Sequence, residues 1–308
     1  MDVDRSAVAG MPLLGTRTSA LALSILAGCV RRGGPAIEEY PQVAAALSVL
    51  HIDKVAAERV AEVLAPTLTP QCLHGWAYLR PHGLPGDHVV IERLQTGFVT
   101  PDPRLAAWDT FCQAQPVARA IRNRTTYFHE LLARLDERRP HAAAVLVAGS
   151  GAAHDVHTYF TTHPESRIAI TCVDGNGQAV ALAEARCREL RQSVTVLHQD
   201  VAAMRHRGAY DLVWAPAHGC CLDDRAWVAQ ASRLYDLVAS GGELVVGNVA
   251  AANPSRPYLE VVARWQLAHR TAEQLATLAH ATAGPDAVVR VEREAEGALL
   301  FTRIAGPA

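Results

Sequence analysis

The turn between Ala143 and Asp155 restricts the fold of this chain more than any other stretch. An apolar run, Val145-Leu146-Val147, breaks off at Gly149-Ser150-Gly151, and a helical pattern follows. The spacing predicts a buried strand turning sharply into a helix. Glycines there remove the Cβ atoms that would keep a ligand from the backbone, and a helix start offers unpaired N–H groups. A second apolar run from Ile168 ends at Asp174, roughly 20 residues past the glycines, where a nucleotide-binding sheet places a carboxylate on a ribose. Gly-x-Gly by itself is a weak signal. Set between strand and helix, with an acid closing the next strand, it is much stronger.

The chain has two textures. Residues 16–140 carry no alternating strand signal, and apolar residues recur at helical spacing in Ala20–Val30, Val43–Leu50, Val55–Leu64, Leu105–Phe111 and Ile121–Leu135. A Pro/Gly-rich loop, Arg80-Pro-His-Gly-Leu-Pro-Gly-Asp87, interrupts them. After Pro140 the pattern becomes strand–helix alternation. Strands are expected near 143–148, 168–173, 193–198, 210–215 and 242–247, and a closing antiparallel pair near 287–293 and 298–304. The clearest helices are Gln178–Leu190 and Ala226–Ala239. The expectation is an α/β protein: a helical domain over 1–138, then a Rossmann-like, mostly parallel sheet over 139–308 covered on both faces.

A length of 308 residues, half of them hydrophobic, is ample for a core. The formal charge of −2 gives no electrostatic reason to expect nucleic acid as partner. No apolar run reaches the roughly 18 residues that span a bilayer, so no membrane partner is expected. Ala20–Val30 is short, contains Ser and Gly and ends in Arg31-Arg32. Seven cysteines form no CxxC, and Cys29, Cys172 and Cys187 fall in apolar segments, which reads as reduced thiols in a cytoplasmic protein.

Such a sheet holds NAD or S-adenosylmethionine (SAM). A third glycine is missing from Gly149-Ser-Gly151-Ala-Ala-His154, which counts mildly against a dinucleotide. The strand at 193–198 runs into His198-Gln199-Asp200-Val201, where an acid can accept from an adenine amino group and an apolar neighbour can pack on the ring. With Tyr210-Asp-Leu-Val-Trp214 and Leu237-x-x-x-Gly241-Gly-Glu-Leu-Val-Val246, the order and spacing resemble class I SAM-dependent methyltransferases over residues 143–304. That resemblance implies their strand order, their terminal antiparallel hairpin and SAM as cofactor.

A narrower resemblance covers about residues 75–304. The loop 80–87, Arg119-Ala-Ile-Arg122-Asn123-Arg124, Tyr127, and Gly247-Asn248 through Asn253-Pro-Ser-Arg256 resemble a methyltransferase family named for biosynthesis of the extracellular factor 3-hydroxypalmitic acid methyl ester. It implies methyl transfer, in some members to a carboxylate, and a helical region before the SAM domain. The departures sit on one side. Leu84 stands where the family has Tyr, Cys220-Cys221 where it has Asp-Tyr, Gln95 and His269 where it has Tyr. Those changes keep the SAM side and alter the acceptor side.

Methyl transfer asks mainly for in-line placement, plus a base when the acceptor carries a proton. His218, in the loop after the fourth strand, is the candidate base or else one solvent-exposed histidine among 14. Cofactor contacts are assigned to Gly149, Ser150, Gly151, Asp174, Gly175, Asp200, Val201 and Arg124. Acceptor contacts are assigned to Leu84, Asp87, Arg122, Tyr127, Cys220, Cys221, Asn248, Arg256 and His269. Vicinal Cys220 and Cys221 make poor metal geometry and read as wall-lining thiols, so no metal is expected. Asp87 caps a helix at 88–95 or meets ligand. Arg122, Asn123 and Arg124 share one helical turn and cannot all face the same way, so one arginine is left for a SAM or acceptor carboxylate. Arg256 after Asn253-Pro-Ser is a lid contact or follows a Ser255 helix cap.

These features point to a SAM-dependent methyltransferase acting on a small specialised-metabolite acceptor. The helical domain is expected to lid the pocket through residues 80–95 and 119–127, with a homodimer left open. Two alternatives stand beside it: a repurposed enzyme of the same fold that cyclises or eliminates without methyl transfer, and a non-catalytic small-molecule-binding protein.

Overall fold

The computed structural model describes residues 11–138, 142–204 and 207–307. Two compact units are formed, one from 1–118 with 254–266 and one from 119–253 with 267–308. The expected boundary at 138 therefore moves to 118, and a short segment after the fifth strand joins the first unit. The reason is burial. Phe128, Leu131 and Leu132 belong to the core beneath the sheet, so most of that helix goes with the strands.

The first unit contains α1 (Met11–Arg31), α2 (Tyr40–Ile52), α3 (Lys54–Glu58), α4 (Val60–Leu64), α5 (Leu73–Leu79), α6 (His88–Gln95) and α7 (Ala106–Gln113). Buried Val43, Ala46, Leu47 and Leu50 repeat at the three- and four-residue spacing of one helix face. A π-helical turn, Tyr258–Val262, completes this unit, with Tyr258 edge-on to Phe111 and Glu260 bonded to His51 at 2.8 Å. Buried Asp109 accepts from the N–H groups of Leu73 and Thr100 at 2.7 and 2.9 Å, tying two loops together. Ser255 accepts from Val117 N–H at 3.0 Å, at the start of the next helix, and stands directly before the helical residues 256–262, its carbonyl accepting from Leu259 N–H at 3.0 Å.

His74 is wholly buried against Trp108 and shares a 2.8 Å hydrogen bond with Thr67 Oγ1. Burial pushes its pKa down to about 4. The unfolded chain would take up that proton near pH 6.5, which the folded chain refuses, so protonation favours unfolding. Stability is expected to be complete above about pH 6.5 and to fall by up to about 3 kcal/mol as pH drops toward 4. Urea titrations across that window check it. A His74→Leu variant should show a flatter profile than wild type, and an equal slope would assign the loss elsewhere.

The second unit is built on a seven-stranded sheet: β1 (Ala144–Ala148), β2 (Ala169–Asp174), β3 (Val194–His198), β4 (Tyr210–Ala215), β5 (Val238–Val249), β6 (Val289–Arg293) and β7 (Leu299–Ala305). Its order is β3-β2-β1-β4-β5-β7-β6, with the first five strands parallel and β7 antiparallel to β5. Residues alternate between faces. Val145, Val147, Ile170, Cys172 and Trp214 pack under α8 (Pro116–Arg138), α9 (His154–Thr162) and α10 (Gly177–Arg186). Leu146, Ala148, Val173, Val213 and Val246 pack under α11 (Asp224–Tyr235) and α12 (Ala272–Ala283). Two-sided burial explains why these strands read as unbroken apolar runs. All seven expected strands are present. The helix expected over Ala226–Ala239 stops at Tyr235, because β5 begins at Val238.

Candidate functional site

The strand order reverses between β1 and β4, and an open α/β sheet binds ligands outside the carboxyl ends of strands at that switch point. Gly149 (φ 69°) and Gly151 (φ 54°) take left-handed backbone there, as the turn requires. Ala153 (φ 52°) does so without glycine's freedom, a strained position directly before α9. The turn is stitched to β2. Gly149 and Ser150 N–H groups donate to Val173 O at 2.8 and 3.2 Å, and Gly151 N–H donates to Asp174 Oδ2 at 2.9 Å. The other carboxylate oxygen of Asp174 accepts from Asn176 N–H at 2.8 Å. Arg186 on α10 also donates to Ala152 O.

Beside this clamp the surface is open. A Cβ built on Gly175 meets nothing within 4 Å. His198 closes one side, its Nε2 3.2 Å from Gly175 O. Past β3, Asp200 is exposed and Val201 buried. Asp155 fills the first turn of α9, buried, with Oδ1 on Val156 N–H.

The helix α8 separates the residues of its polar turn. Arg119, Asn123 and Tyr127, four apart, face the β6–β7 hairpin: Arg119 pairs with Glu296 at 2.7 Å, Asn123 donates to Glu294 at 3.0 Å, and Tyr127 donates to Glu292. Tyr127 also stacks on Phe301 at 4.2 Å, so its ring and hydroxyl are both engaged inside this unit. Burial raises its pKa, and Glu292 raises it further. Arg124 lies on another face. Its guanidinium is buried, burial pushes its pKa down while Asp155 opposes this, and its hydrogen bond runs from Nη1 to Pro216 O at 3.4 Å. Five N–H donors and, among the described residues, one long bond leave it with capacity for an anion. Arg122 is half-buried, near Glu296.

After β4 the chain forms a tight turn, His218–Cys221. The side chain of His218 lies outside the described residues. Cys220 is buried, with its pKa pushed up to about 12 chiefly by burial, and Cys221 is exposed. The turn presses onto β5 so closely that a Cβ on Gly247 would come within 2.3 Å of Pro216 O. Asn248 is fully buried and its amide is consumed by the protein: Nδ2 donates to Val249 O and Ala268 O at 2.8 and 2.9 Å, and Oδ1 accepts from Arg270 at 2.9 Å. His269 is half-buried, with Nδ1 3.0 Å from Leu267 O and Nε2 3.5 Å from Asn253 Nδ2.

In the first unit Leu84 is exposed. Asp87 is the N-cap of α6, accepting from Val89 and Val90 N–H, and it also accepts from Trp76 Nε1 at 2.8 Å. Arg256 pairs with Glu260 at 2.7 Å. Among the described residues no three His, Cys, Asp or Glu side chains gather as a metal site, and no helix is long and apolar enough to cross a membrane.

Solved structures match this chain over nearly its whole length. A possible exported protein from Bordetella parapertussis aligns over 100% of both chains with a TM-score of 0.62 at 16% identity. The SAM-dependent methyltransferase SibL, in its apo form, aligns over 99% of this chain and 100% of its own, with a TM-score of 0.51 at 15% identity. The CurJ carbon methyltransferase aligns over 97% and 94%, with a TM-score of 0.50 at 12% identity. The fold is that of the class I methyltransferases. No protein-family model and no curated protein matches the chain.

Within this methyltransferase fold, two polar residues escaped the sequence reading. Arg270 is buried and donates to Gly219 O at 2.8 Å, Leu222 O at 2.6 Å and Asn248 Oδ1, with its Nε on Asp224 at 2.9 Å. Glu294 is buried and gathers the N–H groups of Glu296, Ala298 and Leu299. A charged residue whose partners lie 22 to 51 positions away, as for Arg270, leaves no local signal.

Proposed function

We propose that this chain is a SAM-dependent methyltransferase acting on a small acceptor. The observation that carries the reading is the clamp on Asp174. Both of its carboxylate oxygens are fixed by backbone N–H groups of the flanking turns, and each keeps a lone pair for a ribose hydroxyl. The residues fit the cofactor in three further ways. Open space at Gly175 leaves room beside that carboxylate, and Arg124 holds buried donors suited to the carboxylate of an amino-acid tail. Asp200 and Val201 supply an acceptor and an apolar surface for adenine. Bound SAM would supply an electrophilic methyl group, so the protein's part is to place the acceptor in line and exclude water.

On the acceptor side we assign His218 as general base. Along 216–224 Cys220, Asp223 and Asp224 are committed, and burial pushes the exposed Cys221 thiol up as well. Cys220 keeps its proton at neutral pH, Asp223 caps α11, and Asp224 pairs with Arg270. An imidazole has the affinity for a proton that this task needs at neutral pH. Cys221, Arg122 and His269 remain the acceptor contacts of this reading, and a specialised metabolite remains its substrate class.

Calorimetric titration with SAM and S-adenosylhomocysteine tests the cofactor site. Asp174→Ala is expected to remove about 1.5–3 kcal/mol, weakening SAM roughly tenfold to a hundredfold. Wild-type affinity in that variant, or no heat of binding in the wild type, would overturn the reading.

A further inference from the structure

Carbonyls of the turn after β4 accept hydrogen bonds from two buried guanidinium groups. Those at Pro216, Gly219 and Leu222, three residues apart, accept respectively from Arg124, Arg270 and Arg270. A fourth, Cys220 O, accepts from Ala268 N–H at 2.8 Å, two residues before Arg270. Arg270 itself leans on Asn248 Oδ1 and on the Asp224 carboxylate at the start of α11. Carbonyls in an irregular turn have no helix or sheet ladder to satisfy them, and water does this at a surface. Here one planar fork does it, with bonds of 2.6 and 2.8 Å to two carbonyls of the same turn.

We infer that Arg270 is a positioning residue: by binding the Gly219 and Leu222 carbonyls it fixes the His218–Cys221 turn in the one shape that serves the acceptor side. Its connection to catalysis rests on the methyl-transfer reading above, whereas its hold on the turn does not. A charge alone would not suffice. Lysine offers a point ammonium, which cannot span two carbonyls, Asn248 and Asp224 in one plane. Asn248 acts in the same assembly, since its Nδ2 joins β5 to Ala268 while its Oδ1 orients the guanidinium.

The experiment uses the full chain as wild type, Arg270→Lys, Arg270→Gln and Asp224→Asn. Asp224 has an exposed side chain, so its replacement removes the charge partner of Arg270 while the Gly219, Leu222 and Asn248 oxygens remain as hydrogen-bond acceptors for the guanidinium. Iodoacetamide labelling resolved by tandem mass spectrometry reads Cys220 against core residues Cys172 and Cys187, all three buried in the wild type. Cys220 is expected to label about tenfold faster or more in Arg270→Gln and Arg270→Lys, and less so in Asp224→Asn, while Cys172 and Cys187 stay protected. SAM affinity should stay within about threefold of wild type, and kcat should fall about tenfold to a hundredfold, as expected for a misplaced acceptor. If the folded variants protect Cys220 as well as wild type does, Arg270 does not hold the turn. If Cys220 opens but kcat is unchanged, the turn is held without positioning anything. Should Arg270→Gln fail to fold, Asp224→Asn decides the same question. A wild type that consumes no SAM leaves the labelling result standing and removes only the catalytic half.

Discussion

Replacing His218 by alanine is expected to lower kcat by about 10²–10⁴-fold while SAM affinity stays near wild type. That pattern belongs to a group that moves a proton in the transition state and takes no part in holding the cofactor. The neighbouring thiol is no substitute, because burial keeps Cys220 protonated at neutral pH. S-adenosylhomocysteine should be followed alongside product in both proteins. Stoichiometric by-product with an unaffected variant would mean that the acceptor arrives as an anion and needs no base. Product without by-product would replace methyl transfer by the cyclisation or elimination reading.

Gly247→Ala is expected to be the most disruptive single methyl group near the site. Its Cβ would lie 2.3 Å from Pro216 O and 2.9 Å from Pro216 C, atoms of a backbone that cannot rotate away like a side chain. Overpacking of this kind costs about 1–3 kcal/mol, and more where backbone must move. The same shift would disturb the Pro216 carbonyl that Arg124 binds, so SAM affinity should fall together with stability. Urea unfolding and SAM titration of the variant check this. A wild-type midpoint with wild-type affinity would show that strand and turn separate freely.

What was legible in the sequence was whatever local chemistry dictates. The Gly149–Gly151 turn, Asp174 at the tip of β2 and the apolar inner strands follow from spacing alone, because a strand buried on both faces and a left-handed turn each demand particular residues in succession. Asp87 as a helix cap was likewise readable, since a cap acts two or three residues away. Residues that act at a distance were not. Arg119, Asn123 and Tyr127 form one row only because the β6–β7 hairpin brings Glu296, Glu294 and Glu292 to meet them. Asn248 looked like an acceptor contact, yet its amide is used up by Val249, Ala268 and Arg270. Arg270 directly follows His269, and nothing local marked it as the residue that holds the turn.

The first unit is discontinuous in the chain, and this bears on the order of events during synthesis. Residues up to 118 leave the ribosome before the turn that completes their core, whose Tyr258 and Glu260 follow their partners Phe111 and His51 by 147 and 209 residues. Five parallel strands with their crossover helices must be translated in between. At a few to 20 residues per second, that is a wait of many seconds during which the helices lack a wall. Such an interval gives chaperones a defined substrate, and it makes the finished helical unit a product of the whole chain rather than of its beginning.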